Sequence, residues 1–421
     1  MNKRKILIIS HNPINKFDNM GKTIGNIFSK FQAEELCQLY FKEQDVDAEN
    51  CEDFFCIDDI SMCKSIINRR YKTGKKIINK AIVEKVSNIE ENIFEYGRKK
   101  NGFIYIARDL LWKMGKWNSK ELKDWISSQN ITSIFLFAGD YMFSLNIAIK
   151  ISKTYNIPLY VYYVDEYYRK NIGRQTLLAK IHKLCYRKKF RKVIKYSKEY
   201  FCISESMEEF YHNTFNKSGK VLMNTTSIVK SNSYKKPNYK LIISYIGNLG
   251  FDRWKNLLEI AKIIEESELT EKIEFNVYSG EKNKIIIDKL ISTKFLNYKG
   301  TINSEEVKEK IVESDILLHV EDFNKINVEK VKYSVSTKIP DSLASGKLLL
   351  AYGPEEVESI NYLKRNNAAI VANNNAELID ILEKLSKNKI DKRSILDNAQ
   401  KLIEKNHTND KNYKKLNEIL N

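Results

Sequence analysis

Short apolar runs alternate along the chain with stretches whose apolar positions recur every three or four residues. The runs of strand length in the first half are Lys5–Ser10, Thr132–Phe137, Leu159–Val164, Tyr200–Ile203 and Val221–Met223. Near-continuous apolarity over so few residues is what a strand covered on both faces requires. Between them, the spacing predicts helices over Lys22–Lys42, Ser144–Thr154 and Glu205–Phe215. Strands separated by helices predict parallel βαβ units. Residues 229–239 are polar and aperiodic, and read as a linker. A second alternation follows, with strands expected at Leu241–Ile246, Ile273–Tyr278, Phe295–Tyr298, Ile316–His319, Lys347–Tyr352 and Ala368–Val371. The predicted class is α/β, with two doubly wound domains facing across a cleft: 1–228, then 240–392. Two helices in 393–421 are expected to pack back on the first domain. A chain of 421 residues is too long for one core, which agrees with that division. In such sheets ligands bind outside the carboxyl ends of the strands.

Charge changes this picture by separating the halves. Residues 1–240 hold 43 Lys/Arg against 25 Asp/Glu, whereas residues 241–421 hold 28 against 29, so the net charge of +17 lies in the first domain. Arg169–Lys198 contains 12 basic residues and no acid, with Leu177, Leu178, Ile181, Leu184, Phe190, Val193 and Ile194 interleaved mostly at helical spacing. A basic amphipathic helix of this kind suits an anionic membrane surface. Nucleic acid is the rival partner, but no binding module of that class is present, and none is expected to bind. The stretch Ile131–Ile151 is interrupted by Asp140 and Lys150, so no membrane-spanning helix is expected. Met1–Lys5 leads directly into the run Ile6–Ile9, which reads as a strand rather than a signal peptide. The expected location is therefore cytoplasmic, held peripherally on the inner face of the plasma membrane. Cys51, Cys56 and Cys63 cluster, but without a histidine nearby or a zinc-binding spacing, so a metal site is not expected.

There is no Walker sequence, GxGxxG, HExxH or GxSxG, and the five histidines are scattered. Candidate chemistry instead sits at strand-to-loop junctions. The first is Lys5–Ser10 followed by Asn19-Met-Gly21-Lys-Thr23, where a glycine lets backbone N–H groups approach an anion beside a helix start. The second is Tyr200-Phe-Cys-Ile-Ser204-Glu205 with Val221-Leu-Met-Asn224-Thr-Thr226, in which Ser204 also carries the signature of a helix N-cap. The third is Gly247-Asn248-Leu249-Gly250-Phe-Asp-Arg253-Trp254-Lys255, and the fourth is Tyr333-Ser334-Val-Ser336-Thr337-Lys338-Ile-Pro-Asp341 ending at Gly346. Tyr278-Ser279-Gly280 and Gly300-Thr301-Ile302 also follow strands. Asp165-Glu166 places two acids at the end of the Leu159–Val164 run, and Asp140 follows the Thr132–Phe137 run. Tyr105–Trp117 gathers aromatics and bases; core packing explains Trp112, with an acceptor groove or membrane rim as the alternative.

Taken together, these segments resemble the GT-B glycosyltransferases, specifically glycosyltransferase family 4 of the bacterial surface-polysaccharide type, over nearly the whole chain. The resemblance implies two Rossmann-like domains and a metal-independent, retaining transferase of the hexosyltransferase type that needs no cofactor. The implied donor is a nucleotide diphosphate sugar, with UDP-sugar the expectation, and the implied acceptor is a glycan or lipid-linked. It puts the donor diphosphate beside Gly21, Gly247, Asn248 and Arg253, with Arg253 where the family usually has lysine and Asn248 where arginine is more common. Ser334, Thr337 and Lys338 fit a "Ser-x-x-Ser-Lys-Ile" branch, with phosphate contacts at Lys338 and the local backbone and ribose hydroxyls on Asp341; Ser336 between them is counted among the donor-binding residues, and Tyr333 occupies the place of the family's first glutamate. Gly280 and Thr301 would line the base pocket, and Asp165 or Glu166 would serve catalysis near the reacting sugar. Rival readings are a nucleotide-sugar epimerase of the same architecture and a non-catalytic basic binding protein.

Overall fold

Two sheets, one mostly and one wholly parallel, each in its own unit, organise the chain. The structure is a computed structural model that describes residues 4–16, 19–78, 102–169, 176–228 and 240–420. The expected linker 229–239 lies outside the described residues, as do Lys170 and Arg174 of the basic stretch. The first unit comprises residues 1–224 together with 409–421, and the second comprises 225–408.

In the first unit the described strands are β1 (Ile6–Ser10), β2 (Leu36–Tyr40), β3 (Asp53–Cys56), β4 (Lys75–Ile78), β5 (Ser133–Ala138), β6 (Leu159–Tyr163), β7 (Glu199–Cys202) and β8 (Lys220–Val221). They lie in the order β4-β3-β2-β1-β5-β6-β7-β8. Only the β3–β4 pair is antiparallel. Strand order reverses between β1 and β5, so the crevice that such sheets open for ligands lies beyond Ser10 and Ala138. The helix expected over Lys22–Lys42 is a correction: it runs Asn19–Phe28, and β2 follows. Gln38 concealed that strand, because a polar residue inside an apolar run imitates helical spacing. Its amide is buried and fully used, accepting from the Ile14 N–H at 2.9 Å and donating to Ser10 Oγ at 2.8 Å. Cys37, Cys51 and Cys56 are buried around these strands, and burial pushes the Cys51 thiol up to about 12.

The second unit has β9 (Leu241–Ile246), β10 (Ile273–Tyr278), β11 (Asn297–Gly300), β12 (Ile316–Val320), β13 (Leu348–Tyr352) and β14 (Ile370–Ala372). They form one parallel sheet in the order β11-β10-β9-β12-β13-β14. Ile243, Phe275, Val277, Ile316, Leu350 and Leu378 belong to its core. Here the order reverses between β9 and β12.

The two C-terminal helices part company, where both were expected on the first domain. Helix Lys392–Asn406 belongs to the second unit, burying Ala399, Leu402 and Ile403 as it packs on helix Ile339–Ala344 and β13. Helix Asn409–Leu420 belongs to the first unit and packs on helix Asn19–Phe28, with Tyr413 edge-on to Phe31 at 5.0 Å between ring centres. Apolar surface decides the matter: each helix turns its buried stripe to a different sheet's layer.

Candidate functional site

The sharpest local geometry follows β9. After Ile246 the chain passes through Gly247-Asn248-Leu249-Gly250, and then Phe251 and Asp252 both adopt left-handed backbone, with φ of 57° and 59°. Two successive non-glycine residues in that region are costly, and such strain persists where surrounding structure enforces it. Several contacts do so. The Gly247 N–H donates to Tyr278 O at 3.0 Å, and Tyr245 Oη donates to Asn248 O at 2.5 Å. Asp252 accepts from Lys255 Nζ at 2.9 Å and from Asn327 Nδ2 at 3.3 Å. The Lys255 bond leads the causes that hold the Asp252 carboxyl below its ordinary range.

This turn delivers Arg253, the first residue of helix Arg253–Glu266, onto the end of β12. Its Nη2 donates to Glu321 Oε2 at 2.9 Å and Oε1 at 3.1 Å, and its Nε donates to Oε2 at 3.1 Å and to Val320 O at 3.2 Å. Nη1 turns the other way, to Asn248 Oδ1 at 3.3 Å and Gly250 O at 3.4 Å. The Glu321 side chain is only 2% exposed. Burial alone would raise its carboxyl. The hydrogen-bonding and charge effects of His319, whose Nε2 lies 3.3 Å from Oε1, and of Arg253 outweigh it and hold the group below the usual carboxylate range. Arg253 was expected to grip the donor diphosphate, and along one edge it is committed to a buried acid. Glu321 and His319 were not singled out from sequence. The available signal was His319-Val-Glu321-Asp322 closing an apolar run, where ionisable groups gather at a strand's carboxyl end.

Neighbouring strand ends contribute the other predicted residues. A Cβ built on Gly280 would meet Thr301 Oγ1 at 3.5 Å, so these two positions are adjacent, and the Ser279 N–H donates to Gly300 O at 2.9 Å. Gly300 has φ of 75°, a conformation a side chain would strain. The β12–β13 connection carries Ser336, Thr337, Lys338 and Asp341. The Ser336 N–H donates to Ser359 Oγ at 3.0 Å, and Ser336 Oγ accepts from the Lys338 N–H at 3.4 Å. Lys338 is exposed where helix Ile339–Ala344 starts. Asp341 accepts a 2.6 Å hydrogen bond from Thr226 Oγ1, so one of the oxygens expected on a ribose is engaged by the chain itself.

In the first unit, Gly21 is not a loop glycine. It lies buried in the first turn of helix Asn19–Phe28, where a Cβ would stand 2.7 Å from Pro13 O and from the Asn15 side chain. Close packing accounts for it. Glu166 is 4% exposed and accepts from the Arg169 backbone N–H at 2.6 Å, which closes a turn after β6. Asp165 is partly exposed, with Tyr167 Oη 3.4 Å from its Oδ2. Asp140 accepts from Tyr105 Oη at 2.6 Å beyond the end of β5. Ser204 caps helix Glu205–Phe215 by accepting from the Met207 N–H at 3.2 Å.

The comparisons with known proteins agree with the two-sheet fold. HepE from Anabaena, crystallised with UDP-glucose, superposes with a TM-score of 0.60 at 9% identity over 99% of each chain. The fold is GT-B. A UDP-forming trehalose-phosphate synthase from Burkholderia xenovorans gives a TM-score of 0.62 at 7% identity over 99% of this chain and 100% of that one. WaaG, involved in lipopolysaccharide biosynthesis, gives 0.56 at 13% identity over 95% of each. Residues 259–418, most of the second GT-B unit and beyond, match a family described as glycosyl transferase-like. No curated protein matches the chain by sequence.

Proposed function

We propose that the chain transfers a sugar from a nucleotide diphosphate sugar, with UDP-sugar the expected donor, to a glycan or lipid-linked acceptor in surface polysaccharide or glycoconjugate synthesis. The observation that carries this reading is Arg253, fixed at the reversal point of the second sheet with one guanidinium edge turned to a glycine loop. Support comes from the glycosyl transferase-like match and from the similar fold of HepE, crystallised with UDP and with UDP-glucose.

In the transfer, the bond from the sugar's anomeric carbon to the donor phosphate breaks. Positive charge develops on the sugar and negative charge on the departing diphosphate. Arg253 Nη1 and Lys338 meet that negative charge without a metal; the Gly247 and Gly250 N–H groups are already donated to Tyr278 O and Asn248 Oδ1. Fixed dipoles and cations aimed at developing charge are the strongest catalytic device of this kind. The acceptor oxygen then bonds to the anomeric carbon on the same face, and its proton passes to a departing phosphate oxygen. Asp165, the more exposed acid of its pair, orients the acceptor, while Glu166 shapes the turn.

A thermal-shift panel of nucleoside diphosphates tests the donor assignment. UDP at about 100 times its dissociation constant would add about 2.7 kcal/mol to native stability. A flat panel would refute the donor assignment, and interconversion of sugars without an acceptor would favour an epimerase. Lys338→Ala is expected to lower transfer about tenfold with the melting temperature unchanged, as initial rates with labelled donor would show.

We also propose an anionic membrane as partner. Helix Leu177–Tyr196 exposes Leu177 at 75% and Leu184 at 65%, with Lys188, Arg191, Lys192 and Lys195 exposed further along. An apolar patch with a basic flank suits insertion at an anionic interface, where each basic residue adds about 1 kcal/mol. Among the described residues no helix is long and apolar enough to cross a membrane. Changing those four bases to glutamate is expected to reduce flotation with phosphatidylglycerol vesicles at least tenfold. Unchanged flotation, or preferential binding of RNA, would remove the membrane from the reading.

A further inference from the structure

We propose that Glu321 is a positioning residue for the donor diphosphate: it fixes the guanidinium of Arg253 so that the Nη1 edge faces the Gly247–Gly250 loop. The inference rests on the donor reading above and assigns a role to a residue outside it.

The geometry divides the five N–H groups of Arg253. Nε and Nη2 are spent on Glu321 and Val320 O, at 2.9 to 3.2 Å. The two on Nη1 have longer contacts, 3.3 Å to Asn248 Oδ1 and 3.4 Å to Gly250 O. Bonds of that length are weak and readily exchanged for a charged phosphate oxygen. An arginine fork presents its remaining edge in one plane once the other edge is pinned.

Glu321 is itself held from several sides. Its N–H donates to Tyr352 O at 3.0 Å, its carbonyl accepts from Asn256 Nδ2 at 2.8 Å, and His319 Nε2 stands 3.3 Å from Oε1. Gly353 passes so close that a Cβ there would lie 3.0 Å from Glu321 Cβ and O. The ends of β12 and β13 thus lock the carboxylate, and the carboxylate locks the arginine. Stability alone is a weak reason for such a pair, since buried ion pairs can often be replaced by apolar groups without loss. A preorganised cation is a sufficient reason.

Isothermal titration of the full chain with UDP and with uridine, which lacks the phosphates, tests the role. Glu321→Gln is expected to weaken UDP at least tenfold and leave uridine within twofold. Glu321→Asp, which keeps the charge on a shorter arm, should fall between Glu321→Gln and the wild type. In an Arg253→Ala background, Glu321→Gln should add less than twofold. Unchanged or tighter UDP binding by Glu321→Gln would overturn the inference, because Glu321 would then merely mask the charge; so would equal losses for UDP and uridine. If Glu321→Gln does not fold, wild-type UDP affinity in Glu321→Asp overturns it. Failure of the donor reading looks different: the wild type binds no UDP, or Arg253→Ala binds it as tightly as the wild type.

Discussion

Arg253→Ala is expected to lower sugar transfer tenfold or more, about 1.4 kcal/mol of barrier, and to destabilise the second unit at the same time. The two effects have separate origins. The first is loss of the Nη1 edge that faces the glycine loop. The second is that Glu321, 2% exposed, is left as a buried carboxylate without its bidentate partner. Breaking such a pair from one side costs about 3–5 kcal/mol. Arg253→Lys separates them: it keeps a charge beside Glu321 but loses the planar fork. The lysine variant should therefore recover much of the melting temperature and little of the rate. Initial rates with labelled donor, beside thermal unfolding of both variants, make the check. Wild-type rates in Arg253→Ala would exclude a diphosphate contact there.

Trp112→Ala should produce the largest loss of stability in the first unit, about 3–5 kcal/mol, the range for deleting a large buried aromatic side chain. Trp112 is 2% exposed and stacks on Phe143, with ring centres 4.1 Å apart, while Phe41 meets it edge-on at 5.2 Å. Its Nε1 donates to Asp59 Oδ1 at 2.6 Å, and the same carboxylate holds Arg108 at 2.9 Å. Trp112→Phe keeps most of the packing and removes only the hydrogen bond, at about 1–3 kcal/mol. Urea unfolding of the three proteins would show the order. An alanine variant as stable as the wild type would contradict this packing. The position is core, as its sequence context suggested, and not an acceptor groove.

The legible parts of this fold were those decided locally. Leu241–Ile246 and Ile273–Tyr278 are strands at the bounds expected of them: the first is apolar but for Ser244, and the second sets Glu274 and Asn276 at alternate positions, which is strand and not helix spacing. Helix Glu205–Phe215 was equally plain, since Ser204 announces its start. Hidden in the first unit were β2, masked by Gln38, and the short β3 and β4, whose pairing depends on strands distant in sequence. The same distance governs the site. A glycine loop before a helix drew attention to Arg253, but its carboxylate partner lies 68 residues on and is adjacent only because β12 pairs with β9. Asp341 meets Thr226 across 115 residues, which no local pattern reveals. Gly21 and Glu166 were conspicuous for their residue types, and packing and turn closure account for both.

Helix Asn409–Leu420 carries a consequence for biosynthesis. Tyr160 Oη, on β6, donates to Ile419 O at 3.0 Å and Arg4 Nη1, just before β1, to Asn417 Oδ1 at 2.6 Å, so the first unit is completed by residues translated long after its strands. While the ribosome makes residues 225–408, the nascent N-terminal half waits with the surface around Phe31 uncovered. Chaperone demand during translation should therefore stay high while residues 225–408 are made and fall once residues 409–420 emerge.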